Sequence, residues 1–241
     1  MNSAKGERII VALDVSTRKE AEELVVKLKD RVGYFKVGME LFHSCGPEII
    51  NMISDLGCRV FLGLKFHDIP NTVAKAVRSA ANYGVDMINV HASGGSLMME
   101  KAVSALDDFQ KETKKPRPLL IGVTVLTSLD QNMMEEEWGL KRSVGEQVVM
   151  WSKLAQKAGL DGVVASPQEL GLIQKACGLD FVTVIPGVRP TWAKRDDQKR
   201  IMTPKEAVKA GASFLVIGRP ITRDKDPEAA AQRIADEIEG A

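Results

Sequence analysis

The sequence predicts an α/β protein of the (β/α)8 TIM-barrel class, and three observations carry that expectation. Eight short apolar runs alternate with about eight amphipathic segments along the 241 residues, the rhythm of parallel strands joined by crossover helices. The alternative, an open doubly wound sheet, lacks support because no Gly-x-Gly-x-x-Gly follows the first run. No composition shift, low-complexity stretch or tandem repeat beyond the βα rhythm divides the chain, so residues 1–241 are expected to form a single barrel domain.

Taken in order, Arg8 to Asp14 is an apolar run ending in an acid, the first strand. Ser16-Thr17-Arg18-Lys19-Glu20 then offers a helix cap, and Ala21, Leu24, Val25 and Leu28 form one helical stripe. Gly33 to Gly38 is the second strand and carries Lys36 near its end; Gly46-Pro47 opens a helix to about Leu56. Val60 to Leu64 is the third strand, read as buried on both faces. Lys65 and Asp68 follow where that strand should end, and Pro70 sits near the start of a helix over about 69–82. Asp86 to His91 is the fourth strand, and Gly94-Gly95 introduces a helix to about Gln110.

The same rhythm fills the second half. Leu119 to Val125 is the fifth strand, followed by a polar loop with a short acidic helix between Asp130 and Arg142 and a helix over about 144–158. Gly162 to Ala165 is the sixth strand, and Ser166-Pro167-Gln168-Glu169 caps the next helix. Phe181 to Ile185 is the seventh, leading through Arg189 into a polar loop from Pro190 to Ile201. Thr203-Pro204-Lys205-Glu206 caps a helix to Ala210, Phe214 to Arg219 forms the eighth strand, and a last helix covers about 227–239.

Composition narrows the function classes. A net charge of +1 gives no electrostatic footprint for nucleic acid or an anionic membrane. No apolar run approaches the roughly 18 residues of a membrane span. The polar stretch Met1 to Arg8 does not read as a signal peptide. Cys45, Cys58 and Cys177 are three widely spaced thiols with no metal-ligand or disulfide spacing, which fits a reduced, cytoplasmic protein.

In a barrel the C-terminal strand ends converge on one mouth, where active sites sit. The polar residues placed there are Asp14, Lys36, Lys65, Asp68, His91, Thr127, Arg189, Gly218 and Arg219. Two groups invite chemistry. Loops after the seventh and eighth strands build the phosphate site of many barrels, and Arg189, Gln198 and Arg219 with the backbone at Gly218 suit a phosphate dianion. Lys36, Lys65 and Asp68 form a charged cluster in which a lysine ammonium can deliver a proton to a developing carbanion; a structural ion-pair network is the plainer alternative. His67 and His91 lack metal spacing and read as structural or as supports behind the site residues, His43 as a helix residue, and Trp138, Trp151 and Trp192 as packing or lid residues rather than stacking platforms.

Leu64-Lys65-Phe66-His67-Asp68-Ile69-Pro70-Asn71-Thr72-Val73 resembles the signature of the orotidine 5′-monophosphate decarboxylase family, of the bacterial kind. The resemblance extends over nearly the whole chain through Val11 to Asp14, Phe35 to Gly38, Val123 to Ser128, Pro186 to Pro190 and Val216 to Thr222. It implies a (β/α)8 homodimer with shared active sites that converts orotidine monophosphate to UMP in pyrimidine biosynthesis, without metal or organic cofactor. It further implies that Lys65 protonates C6 of the pyrimidine, that Lys36 binds the ribose and a neighbouring acid, and that Asp68 reaches the partner's site. Asp14 and Thr72 would bind ribose hydroxyls, Thr127 the pyrimidine edge, and Gln198 both base and phosphate; Arg189, Gly218 and Arg219 would hold the phosphate.

One position departs from the family pattern Asp-x-Lys-x-x-Asp: Gly63 occupies the place of the first aspartate. Loss of that carboxylate leaves phosphate and ribose binding in place while weakening its conversion into transition-state stabilisation, so retained affinity with much reduced turnover is expected. Two other readings stay open. One is a magnesium-dependent sugar-phosphate decarboxylase or aldolase of the same suprafamily, against which Lys36 and Gly63 both argue. The other is a catalytically dead nucleotide-phosphate binder.

Overall fold

The structure is a computed structural model and describes residues 6–193 and 202–240. Eight parallel strands close in chain order into a barrel: β1 (Ile9–Leu13), β2 (Tyr34–Val37), β3 (Arg59–Phe66), β4 (Met87–His91), β5 (Leu119–Val123), β6 (Gly162–Val164), β7 (Val182–Pro186) and β8 (Phe214–Ile217). β8 pairs back onto β1 through Leu215 opposite Ile9. The helices are α1 (Arg18–Leu28), α2 (Met39–Cys45), α3 (Glu48–Asp55), α4 (Pro70–Asn82), α5 (Ser96–Thr113), α6 (Gln131–Glu136), α7 (Val144–Lys157), α8 (Leu170–Cys177), α9 (Pro204–Lys209), α10 (Arg219–Thr222) and α11 (Pro227–Glu239). The fold is thus the (β/α)8 barrel that the alternating pattern predicts. Among the described residues no helix is long and apolar enough to cross a membrane.

Helix starts follow local chemistry. Thr17, Ser143 and Thr203 each accept from a backbone N–H in the first turn while Glu20, Glu146 and Glu206 reach back to them, completing three capping boxes. Proline opens α4, α9 and α11, where its missing N–H costs nothing.

Burial divides by strand parity. One set of side chains, including Val11, Phe35, Leu62 and Ile88, packs outward against the helices. The alternate set fills the barrel: Ile10, Tyr34, Phe61, Met87, Ile121 and Val184 form a closed interior cluster. Because side chains alternate with a period of two, the inward set continues toward the mouth as Lys36 on β2, Gly63 on β3 and Asn89 on β4. The apolar cluster is therefore the floor on which the polar mouth residues stand.

The opposite end is fastened by a repeated clasp. Asp86, just before β4, accepts the Val60 N–H at 2.7 Å; Asp161, before β6, accepts that of Leu120 at 2.7 Å; Ser213, before β8, accepts that of Thr183 at 3.0 Å. Each donates its own N–H back to the same partner's carbonyl. A glycine with positive φ lies two residues earlier each time (Gly84, Gly159, Gly211), turning the chain out of the preceding helix.

Four details differ from the sequence expectation. β3 runs on to Phe66, because Gly63 to Phe66 stays in the sheet through an irregular register with β4. β5 stops at Val123 rather than Val125. α2 had no counterpart, since seven residues between Gly38 and Gly46 carry too short a pattern to read. Arg219 ends no strand; it opens α10, with Gly218 as its cap.

Candidate active site

Lys36, Gly63, Lys65 and Thr127 line one cavity of about 200 Å³ at the mouth, with Asn89, Phe61, Val123, Val164, Val184 and Val216 among its walls. Each element delivers its residue by strand parity: Lys36 follows Tyr34 on β2, and Gly63 follows Phe61 on β3. Lys36 Nζ lies 3.4 Å from Asp14 Oδ1, just beyond β1. Gly38 stands behind that pair, since a Cβ there would lie 3.1 Å from Lys36 Nζ.

Lys65 is set in an unusual backbone. Its φ is +54°, in the left-handed region. Its N–H donates to Asn89 Oδ1 at 2.8 Å, and its Nζ reaches back toward the Gly63 carbonyl at 3.5 Å. Burial is the main cause that pulls the Lys65 ammonium below the ordinary lysine range; the Lys36 charge adds to it and Asp14 opposes it. Two ammonium groups thus face an apolar floor with one mostly exposed carboxylate beside them.

Gly63 is buried and extended, and nothing in its backbone requires glycine. A Cβ there would lie 3.3 Å from Lys36 Cγ, 3.4 Å from its Cδ and 3.5 Å from the Val37 carbonyl. The close neighbours belong mainly to a flexible side chain, so a Cβ at 63 needs only a small shift of the Lys36 stem.

A second cavity, of about 410 Å³, is lined by Arg189, Arg219, Arg223, Asp224, Trp192, Ala193 and Pro220. Three guanidinium groups against one carboxylate favour a dianion. Arg233 stacks on the Trp192 ring at 4.1 Å and pairs with Asp224 at 2.8 Å, tying this wall to α11. Gly218 stands between the two cavities, its would-be Cβ 3.4 Å from Asp14 Oδ2.

Of the residues singled out from sequence, the structure thus gathers Lys36, Lys65, Gly63 and Thr127 in the first cavity, with Asp14 paired to Lys36. It gathers Arg189 and Arg219 in the second. Asp68 and Thr72 line neither: both are exposed at the start of α4, and Asp68 Oδ1 accepts the N–H of Ile69. The carboxylate on Lys36 is therefore Asp14, not Asp68. Gln198 lies outside the described residues.

His67 and His91 stack with ring centroids 5.2 Å apart. Burial, His67 and Lys65 all push the His91 imidazole toward its neutral form. Among the described residues no three His, Cys, Asp or Glu side chains converge as a metal site would need. Sequence reasoning missed Asn89; its signal was the parity of β4, where a polar residue interrupts Met87-Ile88-Asn89-Val90 on the inward side.

Comparison with known proteins identifies the family. The model of the orotidine 5′-phosphate decarboxylase / HUMPS family matches residues 7–234. The orotidine 5′-phosphate decarboxylase of Moorella thermoacetica is 54% identical over 233 residues, covering 97% of this chain and 92% of the relative. That of Syntrophotalea carbinolica is 53% identical over 234 residues, covering 97% and 96%. The crystal structure of orotidine 5′-phosphate decarboxylase from Lactobacillus acidophilus superposes with a TM-score of 0.84 at 37% identity, covering 96% of this chain and 99% of that one. The chain belongs to the orotidine 5′-phosphate decarboxylase / HUMPS family.

Proposed function

We propose that this chain binds orotidine 5′-monophosphate and converts it to UMP and CO2, with turnover much reduced by Gly63. The observation that carries the reading is the pair of lysines over an apolar floor, next to an arginine-lined cavity. A pyrimidine ring fits the first cavity and a phosphate dianion the second, with Asp14 near a ribose between them. Thr127 would bond the pyrimidine edge, and Arg189, Arg219 and the Gly218 backbone the phosphate.

The reaction breaks the C6–carboxylate bond and leaves its electron pair on C6. Lys65 then transfers a proton from Nζ to C6 and regains one from solvent. An ammonium held near an apolar floor stabilises the C6 carbanion electrostatically, and burial that lowers its proton affinity makes it the better acid. No carboxylate at 63 stands between the two lysines, so the site attracts the substrate carboxylate and its departing charge alike. That is uniform binding, which lowers KM without raising kcat.

Asp68 and Thr72 would serve a partner's site rather than their own. They lie outside both cavities, beside Ile69, which is 66% exposed. A homodimer that shares its sites across this face accounts for all three positions. The three free thiols fit a reducing cytoplasmic compartment.

The test compares CO2 release from orotidine 5′-monophosphate, and UMP affinity, for this chain and Gly63→Asp. Expected is a gain in kcat of at least about a hundredfold, the size of a well-placed electrostatic group, with UMP affinity within a few-fold. Equal turnover would remove the role assigned to Gly63. Absence of turnover in Gly63→Asp would remove the reaction itself, and UMP binding without turnover would leave a nucleotide-phosphate binder.

A further inference from the structure

The left-handed backbone of Lys65 has an identifiable support. Along the β3–β4 pair, Leu62 stands opposite Ile88 and Phe66 opposite Val90. Gly63, Leu64 and Lys65 therefore face Asn89 alone, which is a β-bulge with the lysine at its turn. A bulge leaves N–H groups without their regular ladder partner, and a buried N–H left unpaired costs about 1–3 kcal/mol. The Asn89 side chain fills that role: Oδ1 accepts the Lys65 N–H at 2.8 Å, and Asn89 is only 3% exposed.

The bulge has a consequence for reach. In regular strand, residue 65 would stand about 6.6 Å further along the strand than residue 63. Instead the chain turns at φ +54°, and the Lys65 ammonium folds back to 3.5 Å from the Gly63 carbonyl, over the floor of the cavity. A lysine does not hold a left-handed backbone by preference; such a conformation costs about 1–2 kcal/mol and persists where the surroundings impose it.

We propose that Asn89 is a positioning residue for the reaction: its side-chain carbonyl fixes the Lys65 backbone in the bulge and so sets where the Lys65 ammonium stands above the ring. The proposal rests on the reading of Lys65 as proton donor. Asn89 is a buried wall of the first cavity whose side-chain carbonyl is engaged by the Lys65 N–H, so it acts through Lys65, and its loss should lower kcat while leaving the arginine cavity, which holds most of the nucleotide affinity, in place.

The experiment uses Gly63→Asp as the active background and adds Asn89→Ala, Asn89→Ser and Asn89→Asp. In Asn89→Ala and Asn89→Ser no acceptor reaches the Lys65 N–H; kcat is expected to fall at least about tenfold, in keeping with the cost of displacing a catalytic group. KM and UMP affinity, the latter by calorimetry, should stay within about threefold. Asn89→Asp retains the acceptor at the same reach; it should recover most of kcat, with the alkaline limb of the pH–rate profile moved upward by the added negative charge. Should Asn89→Ala not fold, Asn89→Ser carries the same expectation.

A second readout is the titration of Lys65 by NMR in chains with 13C-labelled lysine, assigned by Lys65→Ala. In the parent chain its resonance should titrate below the bulk lysines, and in Asn89→Ser it should move toward them as the ammonium leaves its buried position. Unchanged kcat together with an unmoved Lys65 titration overturns the proposal, as does a loss of kcat that tracks a loss of UMP affinity or that Asn89→Asp does not restore. If Gly63→Asp shows no decarboxylation at all, the reaction reading fails, and the Lys65 titration alone decides whether Asn89 positions the ammonium.

Discussion

At Lys65 two unfavourable features meet in one residue. The backbone is left-handed, and burial beside Lys36 disfavours the charged side chain. Both are consistent with a position kept for chemistry rather than stability, and substitution separates them. Lys65→Ala removes the ammonium and keeps the backbone cost; Lys65→Gly removes both. Lys65→Gly should therefore be more stable than Lys65→Ala by about 1 kcal/mol, the difference a left-handed position makes to a residue with a Cβ, while both lose turnover. Chemical denaturation at pH 7 measures it, and equal stability would mean that the φ at 65 carries no cost. The charge adds a pH signature of known sign. The folded-state pKa lies below that of the unfolded chain, so in the alkaline window between the two the unfolded state holds the extra proton. Stability of the parent chain rises with pH across that window, and the advantage of the uncharged variants shrinks there.

At the scale of elements, the barrel separates its stabilising devices from its site. The clasps that join β3 to β4, β5 to β6 and β7 to β8 sit at the strand starts, whereas both cavities open at the strand ends. Asp86 shows what a clasp contributes. Burial raises its carboxyl pKa, and the Val60 hydrogen bond and Arg59 only partly oppose this. A raised carboxyl pKa means that the native state binds the proton more tightly, so the ionised group detracts from stability above that pKa. Asp86→Asn keeps the acceptor and drops the buried charge; it should leave stability at pH 7 unchanged or slightly higher. Asp86→Ala strands the Val60 N–H and should cost about 2 kcal/mol, with UMP affinity unaltered in both. Thermal melts beside calorimetric titration check this, and a loss in Asp86→Asn equal to that in Asp86→Ala would mean that the charge itself does the clasping. The clasp was written in the sequence as Gly84-Val85-Asp86, Gly159-Leu160-Asp161 and Gly211-Ala212-Ser213, but three short matches carry meaning only once each is known to precede a strand. Strands and long helices were legible because periodicity and caps act locally. The bulge at Lys65 was not, since it depends on a side chain 24 residues away on another strand.

For the whole molecule, the proposed dimer turns the placement of Asp68 and Thr72 into a quantitative expectation. Lys36, Lys65 and Thr127 line a cavity of their own chain, and Asp68 and Thr72 do not. Which strand ends converge was legible from chain order; which residues would complete a partner's barrel is implied only by the family resemblance, because periodicity describes one chain. If each site takes Lys65 from one subunit and Asp68 from its partner, Lys65→Ala and Asp68→Ala homodimers in the Gly63→Asp background are both impaired at every site. A hybrid of the two has one site lacking both groups and one site lacking neither. Random reassortment of equal amounts makes half of the dimers hybrids, so mixing after mild dissociation should restore about a quarter of the Gly63→Asp activity, as an isologous two-fold interface requires. Sites built within one chain would give no recovery on mixing, since every subunit would still lack one of the two groups. Ile69 is 66% exposed and directly follows the exposed Asp68 in the chain. Ile69→Glu should therefore weaken subunit association and abolish the recovery together, and sedimentation of the mixture at the assay concentration reports whether the two losses coincide.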